Sequence, residues 1–343
     1  MELYLIDDNF VEQSIIDNFK SLIWTKRYYT CGDFELYMPA SVETLEVINA
    51  CRYVTRDDDD SVMIIEHIGV TTDVDEGDFY IISGRSLESI LTRRIVWSQT
   101  VMNVDDAAEA IYQLIDDNIV NPSDLQRQIP LFYADTSFEI GESLATQITG
   151  TDLMTAISNI CIKYRVGFKV TYQKPHIVFS LYRGSEVDTT FSEEYDNLIS
   201  SDYYYDSTNY KTVARVAGEG EGTARKHATV FADYATGINR RELYVDARDI
   251  SSNEGEIPII EYSQLLATRG FEKLATEYNE KKGFEGEVEP TMTYQYKVDY
   301  NLGDIVTIDN GYGITSKPRI TEIIENWDVT GYKVIPTFEK WEV

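Results

Sequence analysis

The stretch IISGRSLESILTRRIVW, Ile81 to Trp97, changes periodicity twice, and the fold is read outward from it. Ile81 and Ile82 end an extended run, and Gly84 breaks it. Ser86 is placed to cap a short helix that carries Leu87, Ile90 and Leu91 on one face. Arg93 and Arg94 follow, then the apolar run Ile95, Val96, Trp97. Arg85, Arg93 and Arg94 fall within ten residues of a strongly acidic chain. One reading is a structural corner whose arginines pair with local carboxylates. The other is a contact with a neighbouring subunit, with Arg85, Arg93, Arg94 and Trp97 as candidate interface residues.

Upstream of this stretch the chain reads as an antiparallel meander. Leu3–Ile6 is a short strand, SLIWTKRYY from Ser21 a second, and Phe34–Met38 a third after a turn through Gly32. Ser41 caps a helix bearing Val42, Leu45, Ile48 and Ala50. The run Arg56-Asp57-Asp58-Asp59-Asp60 lacks the glycine and the alternate ligand spacing of a calcium loop, so it reads as a solvated hairpin tip. Val62–Thr71 and Phe79–Ser83 then pair across the acidic turn Asp73–Asp78.

Downstream the period becomes helical. Val101–Ile119 reads as a helix capped by Asn103, with Ala107, Ala108, Ile111, Leu114 and Ile115 as its stripe. Residues 121–150 read as connection. A second helix begins at Thr151 or Asp152, and Gly167–Tyr172 with Ile177–Tyr182 forms a hairpin around Lys174-Pro175. Residues 186–209 are acidic and aromatic, and Tyr203–Tyr205 reads as a strand or a contact patch. Val213–Ala217 is a strand, and Ala224–Asp233 with Arg241–Asp246 reads as a hairpin. The spacing predicts a helix over Ser263–Tyr278 with Leu266, Phe271, Leu274, Ala275 and Tyr278 on its apolar side. Gly270 within it marks a close contact, since an interior glycine costs about 1 kcal/mol relative to alanine. Strands close the chain at Gly286–Val288, Thr291–Val298, Ile305–Ile308, Ile314–Glu325 and Tyr332–Phe338, with a turn on Gly303.

The totals narrow the function classes. A chain of 343 residues implies two or three domains, and 25 Tyr, 13 Phe and 4 Trp favour strands and broad contacts. A formal charge of −29 argues against an external grip on nucleic acid, which needs clustered cations. The glycines of Gly218–Gly222 alternate with anions and carry no GK[ST], so they are no phosphate cradle. Cys31, Cys51 and Cys161 are odd in number and far apart, which fits reduced thiols and synthesis in a cytoplasm. No apolar run nears the roughly 20 residues of a membrane span, and no signal peptide opens the chain. His67, His176 and His227 sit in no metal-ligand or nucleophile spacing, so no catalytic residue, cofactor or metal is expected.

Several segments in order resemble one known group: SLIWTKRYYTCGDFELYMP (Ser21–Pro39), ISGRSLESILTRRIVW, GINRRELYVDARDI (Gly237–Ile250) and DYNLGDIV (Asp299–Val306). Together they look like the tail-hub proteins of tailed bacteriophages, similar to the baseplate hub of contractile-tailed phages and the spike-bearing protein of type VI secretion. The resemblance implies a virion structural protein and no enzyme. It implies a β-rich α+β fold with two related β-barrel domains and inserted α/β domains. It further implies a homotrimer that adapts a hexameric tail tube to a threefold tip and gates the DNA channel. The implied partners are the tail tube or distal tail protein, the tape measure protein and a receptor-binding or tip protein. The expected division is 1–100 with 285–343 as a discontinuous barrel domain, 101–205 as an inserted α/β domain, and 206–284 as a second barrel or hairpin-plus-helix domain. A cell-wall glycosidase or peptidase, and a carbohydrate-binding β module using Tyr203–Tyr205, stand as the alternative readings.

Overall fold

Alternation decides the first strands. In the computed structural model, which describes residues 1–73, 77–195, 197–288, 294–309 and 315–339, β1 (Leu3–Ile6), β2 (Glu12–Ile16), β3 (Ser21–Arg27) and β4 (Asp33–Pro39) lead the chain. Strand β4 buries Phe34, Leu36 and Met38, every second residue, as a one-sided strand must. Helix α1 (Val42–Ala50) starts where Ser41 Oγ accepts the Thr44 N–H at 3.1 Å. Strands β5 (Tyr53–Arg56), β6 (Asp59–Asp73) and β7 (Gly77–Ser86) follow, with β6 and β7 antiparallel. Of the acidic turn expected between β6 and β7, residues 74–76 lie outside the described residues.

Two readings of the opening stretch are corrected. Strand β7 runs through Gly84 instead of breaking there. A β-carbon at Gly84 would lie 1.8 Å from the Ile64 carbonyl oxygen, beside a register shift between Ile65 and His67. The glycine thus admits a close strand approach at a bulge. Leu87–Arg93 is a 3-10 helix, and the Ser86 hydroxyl does not cap it but accepts the Gly32 N–H at 2.7 Å. Leu87 and Ile90, three apart, stack on the same side of such a helix, and both are buried.

The middle of the chain holds β8 (Thr100–Val104), α2 (Ala107–Ile115), β9 (Phe132–Asp135), β10 (Leu144–Ile148), α3 (Leu153–Tyr164), β11 (Gly167–Gln173) and β12 (His176–Tyr182). Helix α2 begins later than the sequence predicts. Asn103 lies in β8, which pairs with β10, and Asp106 is the cap. Its carboxylate accepts N–H bonds from Ala108, Ile140 and Gly141 at 2.8, 3.1 and 2.8 Å. A π-helical turn, Asp116–Val120, ends α2. The expected connection at 121–150 contains β9, parallel to β12, and β10. Ile111, Leu114, Ile157, Ile160, Phe168 and Phe179 centre this core, which also takes in Leu87, Ile90, Leu91 and Val96.

Strands β13 (Glu186–Ser192), β14 (Leu198–Asp206), β15 (Val213–Ala217), β16 (His227–Phe231) and β17 (Glu242–Asp246) precede α4 (Ile259–Thr276). Strands β16 and β17 do not form the expected hairpin. Both flank β15, β16 antiparallel and β17 parallel to it. The core strand β15, buried at Ala214, Val216 and Ala217, separates them. Helix α4 covers this sheet with Tyr262, Leu265, Leu266 and Leu274. Phe271, expected on its apolar side, is 47% exposed. Gly270 meets the expectation: a β-carbon there would sit 2.6 Å from both Val216 and Val230.

Strands β18 (Lys281–Val288), β19 (Ile305–Asp309), β20 (Thr315–Ser316), β21 (Ile320–Asp328) and β22 (Gly331–Phe338) end the chain. The large sheet runs β14-β18-β22-β21-β3-β4-β7-β6-β5-β1-β2, and β21 against β3 joins the two ends of the sequence. The protein is thus β-rich, with α1 packed on the large sheet and α2, α3 and α4 set against smaller ones. Among the described residues no ladder links β14 to β2, so this sheet stays open. The expected strand Thr291–Val298 is not formed where it can be seen. Residues 291–293 lie outside the described residues, and Tyr296 makes only an isolated bridge to Tyr300. Ile314 also lies outside them.

Candidate functional site

Tyr28 stands where three parts of the chain meet. Its backbone N–H donates to Thr321 O at 2.9 Å, which continues the β3–β21 ladder. Its ring is fully buried, and its hydroxyl donates to Tyr182 O at 3.2 Å. Two glycines make room for it: a β-carbon at Gly167 or Gly303 would lie 2.3 or 2.4 Å from Tyr28 Cε2. Gly303 turns the chain at φ +95°, a conformation natural to glycine. Arg319 lies over the ring at 5.4 Å, and its guanidinium also donates to Gly303 O.

The arginine corner divides in two. Arg85 makes a two-pronged contact with Glu66 at 2.7 and 2.8 Å, the strong geometry for this pair. Those bonds, with the Arg85 and Arg93 charges, hold the Glu66 carboxyl below its usual range against the opposing effect of burial. Arg93 reaches the same carboxylate only at 3.8 Å and stays half exposed. Arg94 turns away from acids: its Nε donates to Arg127 O and its Nη1 to Arg93 O, each at 3.0 Å. Burial, then the charges of Arg127 and Arg93, lower its pKa. The backbone of Arg94 and Val96 is tied to the start of α3 through Leu153, Gly150 and Thr151.

Trp97, the last residue of the stretch, is 61% exposed. The Arg127 guanidinium lies 5.1 Å from its ring centre. Asn118 Oδ1 accepts both the Trp97 N–H at 3.2 Å and Arg127 Nη2 at 3.0 Å. Sequence reading missed Glu66, Asn118 and Arg127, because their roles depend on contacts across the fold.

A buried ion network sits at the β5–β6 turn, where the sequence suggests a solvated tip. Arg56 is held by Asp58 and Glu325. Asp59, with a buried side chain, accepts Lys26 at 2.6 Å and Lys297 at 2.9 Å. Asp58 and Asp60 do face solvent. Between this network and β11 lies a pocket of about 270 Å³ walled in part by Lys26, Ser86, Glu88, Phe168, Lys169 and Tyr296. Glu88 accepts the Val170 N–H at 2.9 Å there, and burial raises its pKa. Among the described residues no group of His, Cys, Asp and Glu is arranged to hold a metal ion. Burial pushes the Cys161 thiol well up, which suits a packing residue. Among the described residues no helix is long and apolar enough to cross a membrane.

The fold has close counterparts among solved structures. The 43 kDa tail protein of prophage MuSo2 from Shewanella oneidensis superposes with a TM-score of 0.59 at 13% identity, covering 99% of this chain and 98% of that one. Prophage tail protein gp18 from Listeria monocytogenes EGD-e gives 0.57 at 13% identity, covering 100% and 96%. A Francisella PdpA–VgrG complex chain gives 0.54 at 8% identity, covering 99% of this chain and 57% of that one. Among curated protein sequences none matches this chain. Residues 2–338 match the family described as Siphovirus ReqiPepy6 Gp37-like protein, and the chain belongs to that family.

Proposed function

We propose that this protein is a structural component of a phage tail, a tail hub that forms a homotrimeric ring between the tail tube and the tip. The observation that carries this reading is the end-to-end agreement of fold with whole phage tail proteins, 99% of this chain on 98% of one of them. The division into 1–100 with 285–343, 101–205 and 206–284, with two related barrels contributed per chain, belongs to the same proposal. The pairing of β3 with β21 supports a first domain built from both chain ends. Exposed apolar side chains such as Tyr234, Ile238, Ile259 and Ile260 supply surface for subunit contacts. Arg93, half exposed and loosely paired, is the corner arginine best placed to reach a neighbour.

In this reading the protein resides in the virion tail, contacts the distal tail or tube protein and the tape measure protein, and works without catalysis. The acidity then has a use. A trimer sums to three times −29, and a conduit of that sign repels DNA and lets it slide. Light scattering on the purified chain tests the assembly. Three times the 39.3 kDa chain mass is expected, and a monomer at micromolar concentration overturns the trimer. Cryo-microscopy of the particle tests the channel, since a lumen lined by cations would overturn the charge argument.

A further inference from the structure

Trp97, a candidate subunit contact in the structural role, also opens onto a concavity of about 440 Å³. Gln113, Asp117, Asn118, Asn121 and Arg127 face the hollow together with Trp97. A large indole more than half exposed beside amide and carboxylate groups is an unusual surface. The chain builds it deliberately at two points. First, α2 ends in the π-helical turn Asp116–Val120, the kind of irregularity that often re-aims side chains at binding sites. That turn carries Asp117 and Asn118, and Asn121 follows it. Second, buried Asn118 fixes the site from beneath. It holds Trp97 and Arg127 through Oδ1 and anchors itself by donating Nδ2 to Leu114 O at 2.9 Å. The Trp97 backbone and the Arg127 guanidinium are thus tied to one buried amide, and Arg127 in turn lies beside the indole.

The chemistry of the wall selects the ligand. Arg127 covers one part of the indole, and the exposed remainder offers a flat apolar face. Around it stand the Gln113 and Asn121 amides, which donate and accept, and the Asp117 carboxylate, which accepts; Gln113 Nε2 donates to Asp117 Oδ2 at 3.4 Å and Asn121 Nδ2 to Asp116 Oδ1 at 2.6 Å. A flat apolar face edged by paired donors and acceptors matches a pyranose ring. Its axial C–H groups form an apolar side, and its vicinal hydroxyls each donate and accept. The polar groups around Trp97 favour a sugar over a protein hot spot, whose aromatic anchor docks into a well-packed, desolvated pocket on its partner. We infer that the Trp97 hollow is a saccharide-binding site that takes an uncharged hexose unit. Tyr203 and Tyr205 share one face of β14 and Tyr204 lies on the other, and the Tyr205 hydroxyl is already bonded to Glu280 at 2.7 Å.

The test uses the full-length protein and three probes: methyl glucoside, methyl galactoside and N-acetylglucosamine. Saturation-transfer NMR is expected to show transfer to the ring C–H protons of at least one, with a dissociation constant near millimolar. Trp97→Ala should abolish it, Trp97→Phe should retain a weakened signal, and Gln113→Ala with Asn121→Ala should weaken it severalfold. Trp97 is exposed, so an unchanged melting temperature in Trp97→Ala separates loss of binding from loss of fold. No transfer from any of the three sugars overturns the inference. Transfer that survives Trp97→Ala overturns it too. A variant that leaves sugar contact absent but lowers the mass of the assembly assigns the hollow to a protein partner instead.

Discussion

Arg56 and Glu325 are 269 positions apart in sequence, yet their side chains meet at 3.0 and 3.2 Å with no more than 1% of either exposed. The rings of Trp24 and Trp327 lie 5.3 and 4.4 Å from the guanidinium. Asp58 accepts from Nε and Nη2, and the Tyr332 hydroxyl donates to Glu325 at 2.9 Å. A pair this dry holds only because each polar atom has a partner. It pins the β5–β6 turn to β21 across the sheet.

Breaking one side of this pair should therefore cost more than removing both. Arg56→Met leaves Glu325 buried without its countercharge, and a loss of about 3–5 kcal/mol is expected. Adding Glu325→Leu should restore much of that loss. Thermal and urea unfolding of the two variants decides it. Equal destabilisation by the single and double changes would show that packing around Trp24 and Trp327, and not the charge pair, carries the stability.

The Tyr28 junction gives a steric prediction. Gly303→Ala forces a β-carbon to within 2.4 Å of the ring at a φ of +95°, so the melting temperature should fall sharply. Gly141→Ala is the control, since Gly141 has φ +82° but nothing within 4 Å of the added atom. It should show the backbone cost alone, about 1 kcal/mol. Tyr28→Phe removes the hydroxyl's bond to Tyr182 O and its longer contact with Arg165 O at 3.4 Å, and should cost about 1 kcal/mol. Similar losses at Gly303 and Gly141 would remove the ring contact from the account.

These residues also show what the sequence could and could not reveal. Helices α1 and α3 were legible because cap and stripe coincide: Ser41 before Leu45 and Ile48, Asp152 before Ile157 and Ile160. The β11–β12 hairpin was legible because its partners are adjacent. Strands β9 and β10 were not, since each is four or five residues long and pairs with a strand remote in sequence. The order β16-β15-β17 was hidden for the same reason, as nearness in sequence suggested a hairpin. Arg56 and Asp59 looked solvated because charge runs usually are, while Glu325 and Lys297 lie far along the chain. Of the corner, Arg85 and Arg93 did find a local acid, but Arg94 turned to carbonyl groups.

Arg93 separates assembly from folding. Its contact with Glu66 is long and exposed, so Arg93→Ala should change unfolding stability by no more than about 0.5 kcal/mol. Arg85→Ala removes the two-pronged bond and should cost more. If the corner faces a neighbouring subunit in the proposed trimer, Arg93→Ala shifts the mass seen by light scattering toward the monomer at dilution. An unchanged assembly would leave Arg93 as a surface side chain of a structural corner.

Acid should weaken the fold at Asp59 in particular. Burial acts to raise its pKa, but Lys26 and then Lys297, with the Ser61 hydroxyl, outweigh burial and hold the carboxyl far below its usual range. A folded-state pKa below the unfolded one adds stability that is complete above about pH 4 and drains away as pH falls further. Glu66, lowered chiefly by its bond to Arg85, adds in the same direction. Asp59→Asn should therefore be less stable than the natural chain at neutral pH, with the gap closing as pH drops below about 4. Melting temperatures of both proteins across that range measure it. A gap that stays constant with pH would assign the loss to altered hydrogen bonding with Ser61 and not to the carboxylate charge.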